Sequence, residues 1–340
     1  MQCPRFLVLV TFAIGCSGTN AGSDGGSGDD APPMDDGGVV GDGAPADGEV
    51  TVDSGMISNC PNGTWCREDV PAGVTALIHS VDAADENHVF AVGDGGTILV
   101  RTNGAWTRMT STTTKNLRGV WAASANDAWA AGQDGTVLHW DGTAWSAVTG
   151  GPPTIDYAAV WGANATDVWF VGTGTAVHWN GTALSNPGAV ITGTPVSISG
   201  VTSNDIWIAS ESGRVSHYTT SWGLVTPMVN GSSPGTSYFA VGARAANDVW
   251  ASLPGTGTIR WNGATWTAHA TGTVLFASIH APGATNAWGA GGTKVGHWDG
   301  ASWTIATPVA GLTAALFGIS GIGPHTWAVG DAGTILYRHD

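Results

Sequence analysis

From Leu77 onward the chain repeats itself about every 39 residues, and so short a unit buries its apolar face only by stacking against copies of itself. One aromatic, placed after an Asn-Asp-type turn, marks each copy: Phe90, Trp129, Trp169, Trp207, Trp250, Trp288 and Trp327, at intervals of 39, 40, 38, 43, 38 and 39 residues. The clearest copy runs from Leu117 to Asp156 and parses into four short strands. Leu117 to Ala122 is apolar and ends before Asn126-Asp127, whose side chains can bond the backbone two residues on. Ala128 to Gly132 forms a second strand and leads through Gln133-Asp134-Gly135 into a third, Thr136 to Trp140. Asp141-Gly142 then turns the chain into a fourth strand around Trp145. Seven copies of four strands around an axis predict an all-β, seven-bladed β-propeller. Composition agrees: 52 Gly, 16 Pro and only 11% charged residues, against about 25% in an average domain, exclude long helices.

The last copy stops early, because the chain ends at Asp340 without an Asp-Gly turn or a fourth-strand Trp. The missing piece lies upstream. Asn62-Gly63-Thr64-Trp65 reads like Asn103-Gly104-Ala105-Trp106, and Trp65 precedes Trp106 by 41 residues, in phase with the rest. Residues 59–70 are therefore expected to supply the outer strand of the last blade, closing the ring and protecting its edges. Cys60 and Cys66 flank the turn Pro61-Asn62-Gly63, so the chain reverses between them and a disulfide can form. A zinc pair is the rival reading, but no Cys or His cluster supplies further ligands.

Ahead of the repeats, residues 1–15 hold one Arg and an apolar run from Phe6 to Gly15. That run is too short to span a bilayer and reads as a signal peptide. Phe12-Ala13-Ile14-Gly15-Cys16 resembles the bacterial lipobox, which implies lipidation of Cys16; Ser17 is what the resemblance associates with transfer to an outer membrane. Ordinary cleavage near Gly18, with Cys16 lost, is the alternative. Residues 17–58 carry nine Asp or Glu, eleven Gly and no Lys or Arg, the composition of a disordered acidic tether. The domain boundaries are thus 1–15, 16–58 and 59–340. The tether supplies most of the net charge of −15 and leaves the ring at −7. Neither value suits nucleic acid, whose phosphates call for Lys and Arg.

All 18 tryptophans fall at repeat positions, which favours packing between blades over ligand binding. Trp140, Trp179, Trp261 and Trp298, on third strands, are the exception: at an outer rim they could stack on glycans. His139, His178, His217 and His297 share one repeat position, so they are spread around the ring and fit a structural partner within each blade better than a metal.

The recurring Asp-x-Trp, apolar pair, Gly-x-x-Gly-Thr, apolar pair and Asn/Asp-Gly-x-x-Trp pattern, clearest at Ala91-Val92-Gly93-Asp94-Gly95-Gly96-Thr97-Ile98, resembles the bacterial-neuraminidase (BNR, Asp-box) repeats. It is similar also to the related photosystem-assembly-factor-like propellers of exported bacterial lipoproteins. The resemblance covers 59–340 and implies a propeller; Asp141 and Gly142 depart from it by being adjacent. It does not carry a sialidase's chemistry. Such chemistry would need a clustered Arg set, a Tyr nucleophile with a carboxylate base, and an acid. Tyr218 and Tyr337 sit at repeat positions, Tyr157 and Tyr238 begin blades, and the Phe-Arg-Ile-Pro-type start of those enzymes is missing. The acids Asp127, Asp167, Asp205 and Asp248 recur in one turn, as structural residues do.

The face made by inter-blade loops and second-to-third-strand turns is the candidate binding face, with Asp94, Asp134, Glu211 and Asp331 in the turns and Lys115, Arg118, Asp156 and Arg244 beside them. Those acids read either as a cation- or partner-binding rim or as ordinary turn formers. The sequence thus points to a lipid-anchored, monomeric envelope propeller that binds an unknown protein or glycan at the cell surface, with no cofactor, metal or catalytic residue assigned. A lectin-like propeller is the alternative, and a divergent glycoside hydrolase a distant one.

Overall fold

The computed structural model describes residues 60–340, apart from 188–190, 212–213 and 236. Signal peptide, Cys16 and tether lie outside the described residues. Within them the chain forms seven four-stranded antiparallel sheets, and the helical content is two three-residue turns at Asp94–Gly96 and Asp331–Gly333. Blades 1 to 6 span 78–109, 117–147, 157–185, 194–225, 240–269 and 278–306. Blade 7 takes three strands from 316–339 and its outermost, Trp65–Arg67, from the other end of the chain. Each first strand lies against those of its two neighbours, and blade 7's lies against blade 1's. The ring is closed.

Blade 2 shows how the repeat maps onto strands: Leu117–Ser124, Asp127–Gly132, Val137–Trp140 and Trp145–Ala147. Its hairpin turn puts Asp134 and Gly135 at φ 53° and 72°, as Gly95 and Gly96 stand at 63° and 71° in blade 1. The second of these positions also needs space, because a Cβ on Gly96 would lie 2.0 Å from the Thr113 carbonyl oxygen. Glycine is dictated there by φ and by close approach together.

The aromatic residues pack as the repeat predicts. In blades 2, 3, 4 and 6 the second-strand Trp is stacked by a His of its own blade: Trp129 on His139 and Trp169 on His178 at 4.3 Å, Trp207 on His217 at 3.7 Å and Trp288 on His297 at 4.2 Å. Those His rings bond Asp127 (3.1 Å), Asp167 (2.7 Å), Asp205 (2.8 Å) and Asn286 (3.1 Å) at the start of the same second strand. The fourth-strand Trp of the next blade meets the second-strand ring edge-on, as in Trp145 on Phe90 at 84°, Trp222 on Trp169 at 80°, Trp266 on Trp207 at 81° and Trp65 on Trp288 at 83°. Edge-to-face pairs add roughly 0.5–1.5 kcal/mol each beyond the area they bury. The aromatic abundance is therefore an inter-blade adhesive.

Closure is secured three ways. Trp65, Cys66 and Arg67 pair with Arg338, Tyr337 and Leu336. A disulfide joins Cys60 to Cys66, whose Cα atoms are 5.7 Å apart. Just beyond the closing strand, the Glu68 carboxylate meets the Arg101 guanidinium of blade 1 at 3.0 Å, with side chains only 3% and 2% exposed, and accepts from Trp106 Nε1 at 2.5 Å.

Candidate binding face

The first strands surround a central channel of about 420 Å3, where side chains stitch each blade to the next. The Ser80 hydroxyl accepts from the Val120 N–H (3.3 Å), Ser197 from Val241 (3.1 Å) and Ser199 from Ala243 (2.9 Å). Where this row carries a large ring instead, the following blade supplies glycine: Trp121 covers Gly162 and Trp161 covers Gly200, leaving 2.6 Å for any Cβ there. At the closing seam Asp82 accepts from Ser320 Oγ of blade 7 (2.8 Å) and from the Ala122 N–H of blade 2 (2.9 Å). Burial pushes its carboxyl up to about 6, against the pull of those donors. His280, at the matching position of blade 6, borders the same channel, and burial pushes its imidazole down to about 4. Neither residue stood out in the sequence. Their shared position reads Asp82, Trp121, Trp161, Ser199, Gly242, His280 and Ser320 from blade to blade, so no recurring residue type marked it.

Around one mouth of the channel the inter-blade loops meet the second-to-third-strand turns, as the contacts of Gly96 with Thr113, Gly135 with Pro153 and Gly333 with Val74 show. Asp94 bonds His79 Nε2 at 2.7 Å, and its N–H donates to Leu77 O. Asp331 occupies the same turn in blade 7, where its N–H donates to Ala315 O and its carboxylate accepts from the Ala315 N–H. Both are turn formers in their own blades. Glu211 ends the second strand of blade 4 and bridges to Ser237. These acids stand on separate blades, and among the described residues no three His, Cys, Asp or Glu side chains converge as metal ligands would.

Blades 2 and 3 do bring predicted residues together. Lys115 Nζ lies 2.5 Å from Asp134, and Arg118 lies 3.8 Å from Asp156, which also accepts from the Asp134 N–H at 3.1 Å. Beside them a cleft of about 390 Å3 is lined by Thr113, Asp134, Val148 and Pro153 among others. Lys115 and Arg118 stand where blade 1 has Ala76 and His79 and blade 3 has Ile155 and Ala158, so these two cations depart from the repeat, whereas the Asp134 N–H bond to Asp156 repeats that of the Gly95 N–H to Asn116.

Arg244 does not belong to this face. It lies near the far end of its first strand, Ala240–Ala245, just before the turn into Asp248–Leu253, and bonds Asp248 at 2.6 Å. The loop face is at the other end of that strand. The third-strand tryptophans are also more engaged than a free rim requires. Trp298 is 2% exposed, Trp179 packs 5.1 Å from Trp129, Trp261 lies 5.5 Å from Trp266, and Trp140 donates to Ala125 O. Trp140, Trp179 and Trp261 keep half-buried faces.

No protein-family model and no curated protein matches the chain. Solved structures do. YCF48 bound to a D1 peptide aligns at 16% identity with a TM-score of 0.67, covering 86% of this chain and 100% of that one. YCF48 from Cyanidioschyzon merolae aligns at 18% and 0.64 over 81% and 99%, and virginiamycin B lyase from Staphylococcus aureus at 14% and 0.68 over 81% and 98%. The likeness is one of fold. It supports the assembly-factor-like resemblance at the level of architecture, while a lyase on the same architecture leaves the chemistry to be argued from the site.

Proposed function

We propose that the chain is an exported, lipid-anchored propeller of the cell envelope and serves as a non-enzymatic docking platform for another protein. The cluster of Lys115, Arg118, Asp134 and Asp156 beside a cleft on the loop face carries this reading. Charged residues that depart from a structural repeat, gathered across one blade boundary, suit complementary recognition. YCF48, bound to a D1 peptide, shows that a propeller of this shape can hold a polypeptide. Lipidation of Cys16 and an acidic tether would hold the ring away from the membrane, and labelled palmitate should enter the parent chain but not Cys16→Ser.

Cross-linking in envelope extract tests the platform. Partners should cross-link to the loop face of the parent, and a Lys115→Glu/Arg118→Glu variant of unchanged melting temperature should lose them. Cross-links untouched by that double change would refute the assignment, and turnover of a glycoside substrate would overturn the non-enzymatic part. A carbohydrate ligand remains the second reading, on the half-buried faces of Trp140, Trp179 and Trp261. It requires glycan binding that one of those substitutions abolishes.

A further inference from the structure

Blade 5 breaks the repeat twice, and both breaks are arginines on one cleft. Opposite the second-strand Trp, where blades 2, 3, 4 and 6 carry His139, His178, His217 and His297, blade 5 carries Arg260. Four residues before the second-strand acid, where blades 2 to 4 have Ala123, Ala163 and Val201, it carries Arg244. Both guanidiniums meet one carboxylate, Asp248, which is 2% exposed. Asp248 Oδ1 accepts from Arg260 Nε at 2.7 Å; Oδ2 accepts from Arg260 Nη2 at 3.0 Å and from Arg244 Nε at 2.6 Å. Burial alone would raise this carboxyl, but the two arginines hold it below the usual carboxylate range.

The arginines have different freedom. Arg260 lies 4.9 Å from the Trp250 ring centre and 5.8 Å from that of Trp298, and Nη2 also donates to Ala284 O at 2.9 Å. It is fixed. Arg244 spends only Nε, its side chain is 34% exposed, and its two terminal nitrogens bond nothing among the described residues. Arg244 lines a cleft of about 350 Å3 that also includes Asn247, Asn262, Thr267 and His269, within the size range of small-ligand sites. Asn262 Oδ1 is taken by the Ala264 and Thr265 N–H groups, so what it has left is its amide donors. Two positive charges against one negative leave the cleft cationic in a ring that is otherwise acidic. In blades 2 to 4 a single His meets the second-strand Asp, so Arg244 is a cation beyond the one that those blades use.

We propose that this cleft binds the carboxylate of a small acidic ligand, with Arg244 as the recognising side chain and the Arg260–Asp248 pair as its fixed base. The terminal nitrogens of a guanidinium match a carboxylate in geometry and charge. The test is calorimetric titration of the full chain at constant ionic strength with acetate, glucuronate and sulfate. Acetate and glucuronate should bind saturably, roughly tenfold more weakly to Arg244→Gln, which is a loss of about 1.4 kcal/mol. Arg244→Lys should bind at an intermediate strength, because it keeps the charge but loses the fork. Arg214→Gln, at the exposed first position of the third strand of blade 4, should match the parent. Arg244→Gln leaves Asp248 with both Arg260 bonds, so its melting temperature should stay near the parent's. Equal binding by parent and Arg244→Gln, saturation by sulfate alone, or no saturable heat up to about 100 mM, far weaker than a specific site implies, would each overturn the proposal.

Discussion

Asp82 and His280 line one channel and answer to pH in opposite senses. Asp82, pushed up to about 6, holds a proton in the folded ring that the unfolded chain releases above about 4. Its contribution is therefore full at low pH and fades as pH rises through 6. His280, pushed down to about 4, stays neutral when folded, while the unfolded imidazole protonates below about 6.5. Its contribution is full above that value and fades as pH falls toward 4. Between pH 7 and pH 5 the two offset each other in the parent. Asp82→Asn should unmask the histidine, so its melting temperature falls on acidification by on the order of 5 °C more than the parent's. Asn keeps one acceptor for Ala122, and the Ser320 hydroxyl can rotate to suit the other atom. His280→Gln should show the reverse, gaining stability on the same acidification. Parallel pH profiles for the two variants, read by scanning calorimetry, would mean that neither group titrates in that window.

Among elements, the second strands carry the packing between blades, because each presents one large ring to both its own third strand and the next blade's fourth. Trp250 is fully buried and meets Trp298 at 4.9 Å and Trp303 at 5.2 Å. Trp250→Ala should lower stability by about 3–5 kcal/mol, against about 1–2 kcal/mol for the half-buried, first-strand Trp121, measured as the shift in urea midpoint. In a double-mutant cycle Trp250 and Trp303 should couple by about 1 kcal/mol; additive losses would show that the edge-on contact adds nothing to area burial. Much of this was legible beforehand. The period identified the strands, phase identified Trp65 as the missing fourth-strand residue, and recurrence marked His139 and its counterparts as structural. Arg244 was misplaced because a first strand is only about six residues long, so a short step along the sequence carries a side chain from one face of the ring to the other. Asp82 and His280 were missed for a different reason: the channel row tolerates a ring, a hydroxyl or nothing, so periodicity gives no signal there.

At the scale of the whole molecule the ring stands or falls on the seam between blades 7 and 1. Besides the pairing of the closing strand, two devices bear on it, and they differ in kind. The Cys60–Cys66 disulfide closes only a short loop within the closing segment, so its removal subtracts about 2 kcal/mol, mostly by freeing the unfolded chain. Glu68 and Arg101 join the closing segment to blade 1 in a nearly water-free contact, where Arg101 also lies over Trp327 at 5.4 Å and Tyr337 at 5.2 Å. Glu68→Gln leaves that guanidinium buried without a counter-charge and should destabilise the ring by about 3–5 kcal/mol. The expected order in urea is therefore Glu68→Gln below Cys60→Ser/Cys66→Ser, both below the parent. A third variant separates charge from closure. Glu68→Leu with Arg101→Met removes both charges and keeps the bulk, so it should recover much of the loss, since exchanging a whole buried pair for apolar residues is often near neutral. Recovery would show that the seam is held by packing and strand pairing, with the ion pair fixing which strand closes it; no recovery would make the pair itself the latch.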